Sequence, residues 1–467
     1  MQFKPNQRAI YATLLLTAFV TTFTASATNL AIPEIALEFR SSATLTGWIV
    51  TGYILVTAML AVPFGRFADA TGRRRVYIVG CALFIVFSAL IPLSQSIGMM
   101  LALRVVVGVS GAMIFATNTA ILVGVAPPNR RGRMLGLSVM CTYIGLTIGP
   151  VMGGILTHNL GWRSIFIVTA LIGLVSLIVA VIGMPKRGED SVPIRKIRFS
   201  ALNPLGSSLY AVGIFALMFG FSEAAETRLG YLMIGVGAVL LVIFVKRETV
   251  TKNPIIKVKL FTNLNFLFSN IASLLNYGAT FALSYMLSIY LQIVMGYNAQ
   301  TAGLILVLQP ALQAVFSPIA GRLSDKHSPF KLASLGMGLC AAGLFSYIFV
   351  GVDSPLWHVM INLAVVGIGF GFFSSPNTNA IMSSVPPQDS SIASSMIATM
   401  RSLGHTSSMA VITLITHSHL GNAEYKDAAS ADIVAAMHTA FIIFAVICAV
   451  GIFISLQRKT RNEQSGV

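Results

Sequence analysis

Fourteen apolar runs, each about long enough to cross a bilayer, constrain this chain more than any other feature. They lie at roughly 9–32, 45–65, 75–95, 98–119, 135–157, 164–184, 204–222, 229–246, 264–288, 300–320, 330–350, 356–378, 391–415 and 434–456. A helix needs about twenty apolar residues to cross ~30 Å of hydrocarbon. Barrel strands alternate apolar with polar residues, and these runs do not, so the spans are helices. Charged residues make up only 10% of the 467-residue chain, against about 25% in an ordinary soluble domain. So few charges cannot cover a soluble surface of this size, and the excess apolar area faces lipid.

The basic residues set the topology. With a cytoplasmic N-terminus, the outer segments hold only Arg40, Arg163, Arg228 and Lys426, and two further arginines, Arg104 and Arg401, lie inside spans. The other 25 of the 31 lysines and arginines fall on the cytoplasmic side. This asymmetry orients the chain and places both termini in the cytoplasm, which requires an even number of spans. The net charge of +16 therefore reads as a topology signal. No basic stretch is interleaved with a stacking surface, so nucleic acid is not expected as a partner. Cys81, Cys141, Cys340 and Cys448 each stand alone in an apolar run, without metal or redox spacing. Ala25-Ser26-Ala27 resembles a signal-peptidase site, but the apolar stretch continues beyond it, so the first run is expected to remain as a membrane helix.

The longest polar stretches, 185–203 and 247–263, flank spans seven and eight. The expected organisation is a six-helix bundle over 1–184, a linker with two extra spans over 185–263, and a second six-helix bundle over 264–467. An internal repeat supports two related halves. Gly65-Arg66-Phe67-Ala68-Asp69 leads through Gly72 to Arg73, Arg74 and Arg75 after span two, and Gly321-Arg322-Leu323-Ser324-Asp325 leads to Lys326 and Lys331 after span ten. Parallel repeats of this kind build rocker-type transporters. Glycine permits close helix contact, aspartate accepts backbone N–H bonds at a helix start, and arginine pairs with carboxylates or lipid phosphates. Both segments are expected to be cytoplasmic loops.

The segment Gly65–Arg75 resembles the signature loop of the major facilitator superfamily. The resemblance implies an all-α membrane fold and a gate in which Asp69 and its neighbouring arginines latch the cytoplasmic side. Span five carries Gly145, Gly149, Pro150, Gly153 and Gly154 in a Gly-x-x-x-Gly-Pro-x-x-Gly-Gly string. Three of these glycines, four residues apart, line one helix face and allow another helix close approach. The string resembles the signature of the superfamily's exporters, and Gly161-Trp162-Arg163 after it is similar to its multidrug members. Tyr290 to Gly303 and Asn253 to Phe261 resemble segments of the fourteen-span drug/proton antiporters. The resemblance implies secondary active export of small amphiphilic compounds or drugs by proton antiport, as in multidrug efflux and antibiotic resistance.

Two departures from that pattern bear on coupling. Where such antiporters often carry an aspartate in span one, ahead of a motif like Asn29-Leu30-Ala31-Ile32-Pro33, this chain has Thr24. Where many carry a glutamine in span four, three residues after the arginine, it has Val107. None of the fifteen acidic residues lies in the middle of a span. A buried, unpaired cation costs several kcal/mol, so a pathway without carboxylates and with arginines suits neutral or anionic amphiphiles better than cations. Arg104 either serves the pathway or reaches the outer interface. Glu34 and Glu223 are either coupling groups or solvated helix ends. His405, one turn from Arg401, is either a titrating partner or a packing residue. Asn29 joins these as a candidate cavity residue. Gln309, Gln313 and Asn377 either line the cavity or bond neighbouring helices, and Pro310 and Pro376 are expected to bend their spans.

The competing readings are a specific metabolite transporter or an uncoupled transporter of the same fold, a membrane-embedded enzyme, and a receptor. His417 and His419 are the only closely spaced histidine pair and lack a third ligand, and no catalytic residues or metal are expected. No phosphate-binding Gly-x-x-x-x-Gly-Lys-Ser/Thr loop is present, so a proton gradient is expected in place of a cofactor. The expected partners are the lipid bilayer and small-molecule substrates, the expected state is a monomer, and the expected location is the cell membrane as a multi-pass protein.

Overall fold

The computed structural model describes residues 5–41, 43–184, 203–223, 227–251, 253–420 and 429–457, and among these no strand occurs. Eight long helices come first: α1 (Pro5–Phe39), α2 (Ala43–Thr71), α3 (Arg73–Leu90), α4 (Ile97–Val125), α5 (Arg131–Leu160), α6 (Arg163–Gly183), α7 (Pro204–Glu223) and α8 (Arg228–Val250). The ninth span is broken into α9 (Leu264–Thr280), α10 (Leu283–Ile289) and a π-helical turn over Tyr290–Val294. The tenth is broken into α11 (Ala299–Leu306) and α12 (Leu308–Ser324). The break falls one turn before Pro310, which has no N–H to offer the Leu306 carbonyl. Next come α13 (Pro329–Ser346), α14 (Leu356–Ser383), α15 (Ser390–Leu420) and α16 (Ser430–Leu456). Helix α14 runs unbroken through Pro376. The linker expected to start at 185 lies outside the described residues as far as 202.

Thirteen spans among the described residues are long and apolar enough to cross a membrane. The predicted run at 391–415 is not one of them, although it falls within the 31-residue helix α15. The reason lies in its surroundings. Helix α15 packs against α2, α4, α7, α9, α14 and α16, so little of its surface needs to be apolar for lipid. It carries Arg401, His405 and a series of serines instead. Helix α6 is the opposite case. Leu171, Leu174, Val175, Ile178 and Ile182 recur every three to four residues and are all exposed, forming an apolar stripe for lipid.

Two large buried clusters run through the helices. One joins α1–α6 with residues of α7 and α8, and it takes in Phe266 of α9, Ile381 and Met382 of α14, and Ile392, Ala393, Met396 and Leu403 of α15. The other joins α10, α13, α14 and α16 with the outer parts of α9 and α15. The cytoplasmic end of α15 therefore packs into the first half's core. The inserted pair α7–α8 is anchored there as well. The Tyr210 hydroxyl and Thr399 Oγ1 are 2.9 Å apart. Lys257, in the linker after α8, forms an ion pair with Asp389 at 2.9 Å.

Candidate functional site

The signature segments expected as loops are largely helical. Gly65 through Thr71 form the last turns of α2, and Gly321 to Ser324 end α12. Only Gly72 separates α2 from α3, at φ 108°, a left-handed conformation that glycine adopts without strain. The helical setting fixes the direction of Asp69. It aims Asp69 across the boundary between halves at the first turn of α15, whose amides have no partner within their own helix. The Ser391 and Ile392 amides each donate to the Asp69 carboxylate at 3.3 Å. Arg73 pairs with Asp69 at 2.9 Å, and its Nε also reaches Ser391 Oγ at 3.0 Å. Arg73 donates to the Pro387 carbonyl as well. Gly65 lies so close to Ser391 and Ser395 that a Cβ would not fit. Arg74 donates to the Met184 carbonyl at 3.1 Å, within the first half, and Arg66 Nε is buried without a hydrogen-bond partner.

The second copy repeats this geometry. Asp325, the residue that ends α12, accepts from the Gly132 amide at 2.6 Å and the Arg133 amide at 2.9 Å, in the first turn of α5. Gly321 packs on the Gly132 backbone, and Ser375 Oγ donates to the Gly132 carbonyl at 3.3 Å. Arg322 is exposed and takes no part in the cap. Each half thus contributes an aspartate that caps a helix of the other, and a carboxylate at a helix N-terminus is favoured by the helix dipole. These bonds lie on the cytoplasmic side. On the outer side, the bonds of Glu38 to Arg163 and Trp162, of Tyr290 to Gly351 and of His438 to Val350 stay within one half. The two aspartate caps therefore join the halves at this end of the helices.

The glycine string of α5 serves a contact inside the first half. A Cβ on Gly145 would stand 2.6 Å from the Phe19 carbonyl, and one on Gly153 would stand 2.9 Å from the Ala27 backbone. Thr22 and Ser26 of α1 donate to α5 carbonyls at 3.1 Å, which ties the two helices face to face. Gly149 belongs to the same face, against Ser26. Pro150 and Gly154 are half-buried, and α5 continues unbroken through Pro150. Thr24, in the place of the expected aspartate, is buried and bonds with Thr169 at 2.9 Å.

Arg104 does not reach the outer interface. It is 1% exposed, its Nε donates to the Ile49 carbonyl at 2.9 Å, and its guanidinium lies 5.0 Å from the Tyr53 ring and 5.8 Å from that of Phe166. One of its terminal nitrogens has no partner. Arg401 is half-buried, 5.0 Å from the Phe115 ring. Among the described residues neither arginine has a carboxylate partner; the ion pairs are Arg73–Asp69, Arg163–Glu38 and Lys257–Asp389. Asn29 and Glu34 are exposed on the outer part of α1, and Glu223 is half-buried at the end of α7. The structure does not join these three to the arginines.

His405 is stacked on Phe281 with ring centroids 4.0 Å apart and meets Tyr277 edge-on at 5.4 Å. Tyr277 and Tyr143 each meet Phe370 edge-on, at 5.1 and 5.7 Å. Helices α5, α9, α14 and α15 thus bring aromatic rings of both halves together around the middle of α15. These aromatics are scattered over more than two hundred residues of sequence, and no local pattern marks them. Glu38 is also more than a span end. It receives two bonds from Arg163, at 2.5 and 2.8 Å, and one from Trp162 Nε1 at 2.7 Å. The Gly161-Trp162-Arg163 motif is thereby half of an outer clamp between α1 and α6.

A family model described as Major Facilitator Superfamily matches residues 14–409 and 270–466. The riboflavin transporter RibZ of Clostridioides difficile (strain 630) is 29% identical over 449 residues, covering 96% of this chain and 96% of that protein. A methylenomycin A resistance protein of Streptomyces coelicolor is 28% identical, covering 87% of this chain and 85% of that protein. The multidrug resistance protein Stp of Mycobacterium tuberculosis (strain ATCC 25618 / H37Rv) is 27% identical, covering 82% and 71%. Among solved structures, that of the human organic anion transporter MFSD10 (TETRAN) matches with a TM-score of 0.68 at 15% identity, covering 97% of this chain and 100% of that one, a likeness of fold.

Proposed function

The chain belongs to the Major Facilitator Superfamily, and on that premise we propose that it is a secondary active transporter that exports small amphiphilic compounds or drugs across the cell membrane by proton antiport with alternating access. The observation that carries this reading is the pair of reciprocal caps. Asp69 holds the start of α15 and Asp325 the start of α5, so two helix N-termini are engaged when the cytoplasmic side is closed and must be released together when it opens. Such a device has two discrete arrangements, which alternating access requires. The α1–α5 glycine face keeps the first half a rigid body during that rocking. The drug-resistance relatives support the export of foreign amphiphiles. The protein works as a monomer in the lipid bilayer and draws on the proton gradient in place of a cofactor. In this reading Glu34, exposed on the outer part of α1, and Glu223, half-buried at the end of α7, serve as the carboxylates that exchange protons.

One observation favours a second reading, a metabolite-specific or uncoupled transporter of the same fold. Thr24 leaves span one without the carboxylate expected of an antiporter, and a riboflavin transporter is among the relatives. Uptake of a fluorescent amphiphile panel into inside-out vesicles, with and without an imposed pH gradient, separates the two. Gradient-driven uptake that falls in Glu34→Gln or Glu223→Gln supports antiport. Uptake of a single compound class, indifferent to the gradient, overturns antiport and leaves the second reading.

A further inference from the structure

The middle of the molecule holds two arginines and no described carboxylate beside them. Arg401 lies on the twelfth residue of the 31-residue helix α15, about 16 Å along the helix from its cytoplasmic start at 1.5 Å per residue. Six helices pack against α15, and the guanidinium is half-exposed among them. Arg401 makes no hydrogen bond or ion pair with any described residue, and its one close partner is the Phe115 ring at 5.0 Å. The Tyr53 hydroxyl is the second, independent feature. Tyr53 is 5% exposed, and its hydroxyl has no hydrogen-bond partner. Its ring carries Arg104 on one face at 5.0 Å, and its hydroxyl lies beside Gly111, one turn from Phe115. A buried hydroxyl and a half-buried cation, both without partners, leave a matched set of donors unsatisfied.

We propose that Arg401 and the Tyr53 hydroxyl form a binding site for the acidic group of an aromatic amphiphile, whose ring lies among Phe115, Tyr143, Tyr277 and Phe370. A carboxylate accepts bidentate bonds from guanidinium and a further bond from the hydroxyl. The aromatic box supplies stacking and edge contacts for a planar body. A cationic amphiphile meets Arg401 and no described counter-charge there, so the site selects against it. This assignment rests on the transporter reading and names its substrate class.

The test is equilibrium dialysis of the purified full chain in nanodiscs against three matched probes: 2-naphthoate, its neutral amide, and a naphthylmethyl trimethylammonium. Naphthoate is expected to bind at least ten times more tightly than the amide, and the ammonium most weakly. Arg401→Gln is expected to abolish the preference while the neutral amide still binds, Arg401→Lys to retain part of it, and Tyr53→Phe to reduce it severalfold. Equal binding of naphthoate and amide, a preference for the ammonium, a preference that survives Arg401→Gln, or no binding of any probe by the wild type each overturns the proposal. Binding needs no gradient, so a failure of proton-driven uptake with the anion preference intact defeats the antiport reading alone.

Discussion

Replacing Asp69 by asparagine keeps the shape of the cytoplasmic latch and removes its charge. The wild-type carboxylate, with its side chain 3% exposed, is held by Arg73 at 2.9 Å and by two amides of α15 at 3.3 Å. Hydrogen bonds to a charged group contribute about 1.5–3 kcal/mol each. The amide bonds here are longer than the ~2.7–2.9 Å of strong charge-assisted bonds, so the low end applies to them. Burying the carboxylate offsets part of the sum. A net effect of about 2 kcal/mol on the closed cytoplasmic side follows, which is roughly 30-fold in the ratio of closed to open molecules. Spin labels at Arg75 and His327, exposed positions on the cytoplasmic ends of the two halves, report that ratio as a distance distribution. Asp69→Asn is expected to move population from the short to the long distance. Asp325→Asn is expected to move at least as much, because its amide bonds are 2.6 and 2.9 Å and the whole cap depends on that one carboxylate. An unchanged distribution in both variants refutes the reasoning. So does a shift confined to Asp69→Asn.

The two sets of glycines are expected to fail in different ways. Gly321→Ala forces the halves apart at Gly132 and opens the cytoplasmic side in the same distance measurement, whereas Gly153→Ala pushes α5 off α1 within one half and lowers the melting temperature. Arg104→Met removes a buried cation with an unpartnered nitrogen while keeping most of its volume, so stability is expected to stay level or rise by about 1–4 kcal/mol, as for other buried charges replaced by apolar groups. A loss of several degrees in a thermal melt contradicts this. Hydrogen bonds from Arg163, then from Trp162, hold the Glu38 carboxyl below its usual range. The unfolded chain takes up the proton first, so the clamp's contribution is present above the ordinary carboxylate range and is lost as pH falls through the depressed value. Both side chains are 40% exposed, which limits the effect to under about 1 kcal/mol. It should appear as an acid-side slope of melting temperature that Glu38→Gln lacks.

The chain's own residues determined that it crosses a membrane, which way round, and as two related halves. These are matters of transfer energy and charge bias that each segment expresses locally, in runs of about twenty apolar residues and in loops rich in arginine. The Gly-Arg-x-x-Asp repeat and the glycine string were legible for the same reason, since their spacing is short. Tertiary structure decided everything that depends on what lies across the boundary between helices. Asp69 and Asp325 were visible as candidates, but the amides they cap are 322 and 193 residues away. The motif's helical form also followed from packing, since α2 continues until Gly72 turns the chain. In the second copy the aspartate caps the backbone of α5 at 2.6 and 2.9 Å without its arginine, since Arg322 is exposed. Helix α15 reads as a weak span because its six neighbouring helices replace lipid. The ring cluster around Arg401 and His405 was invisible because aromatic residues in apolar runs look alike until folding brings them together. A one-dimensional pattern carries the energy of transferring a segment into lipid. Which side chains meet, and which charge is left without a partner, is set only when the helices pack.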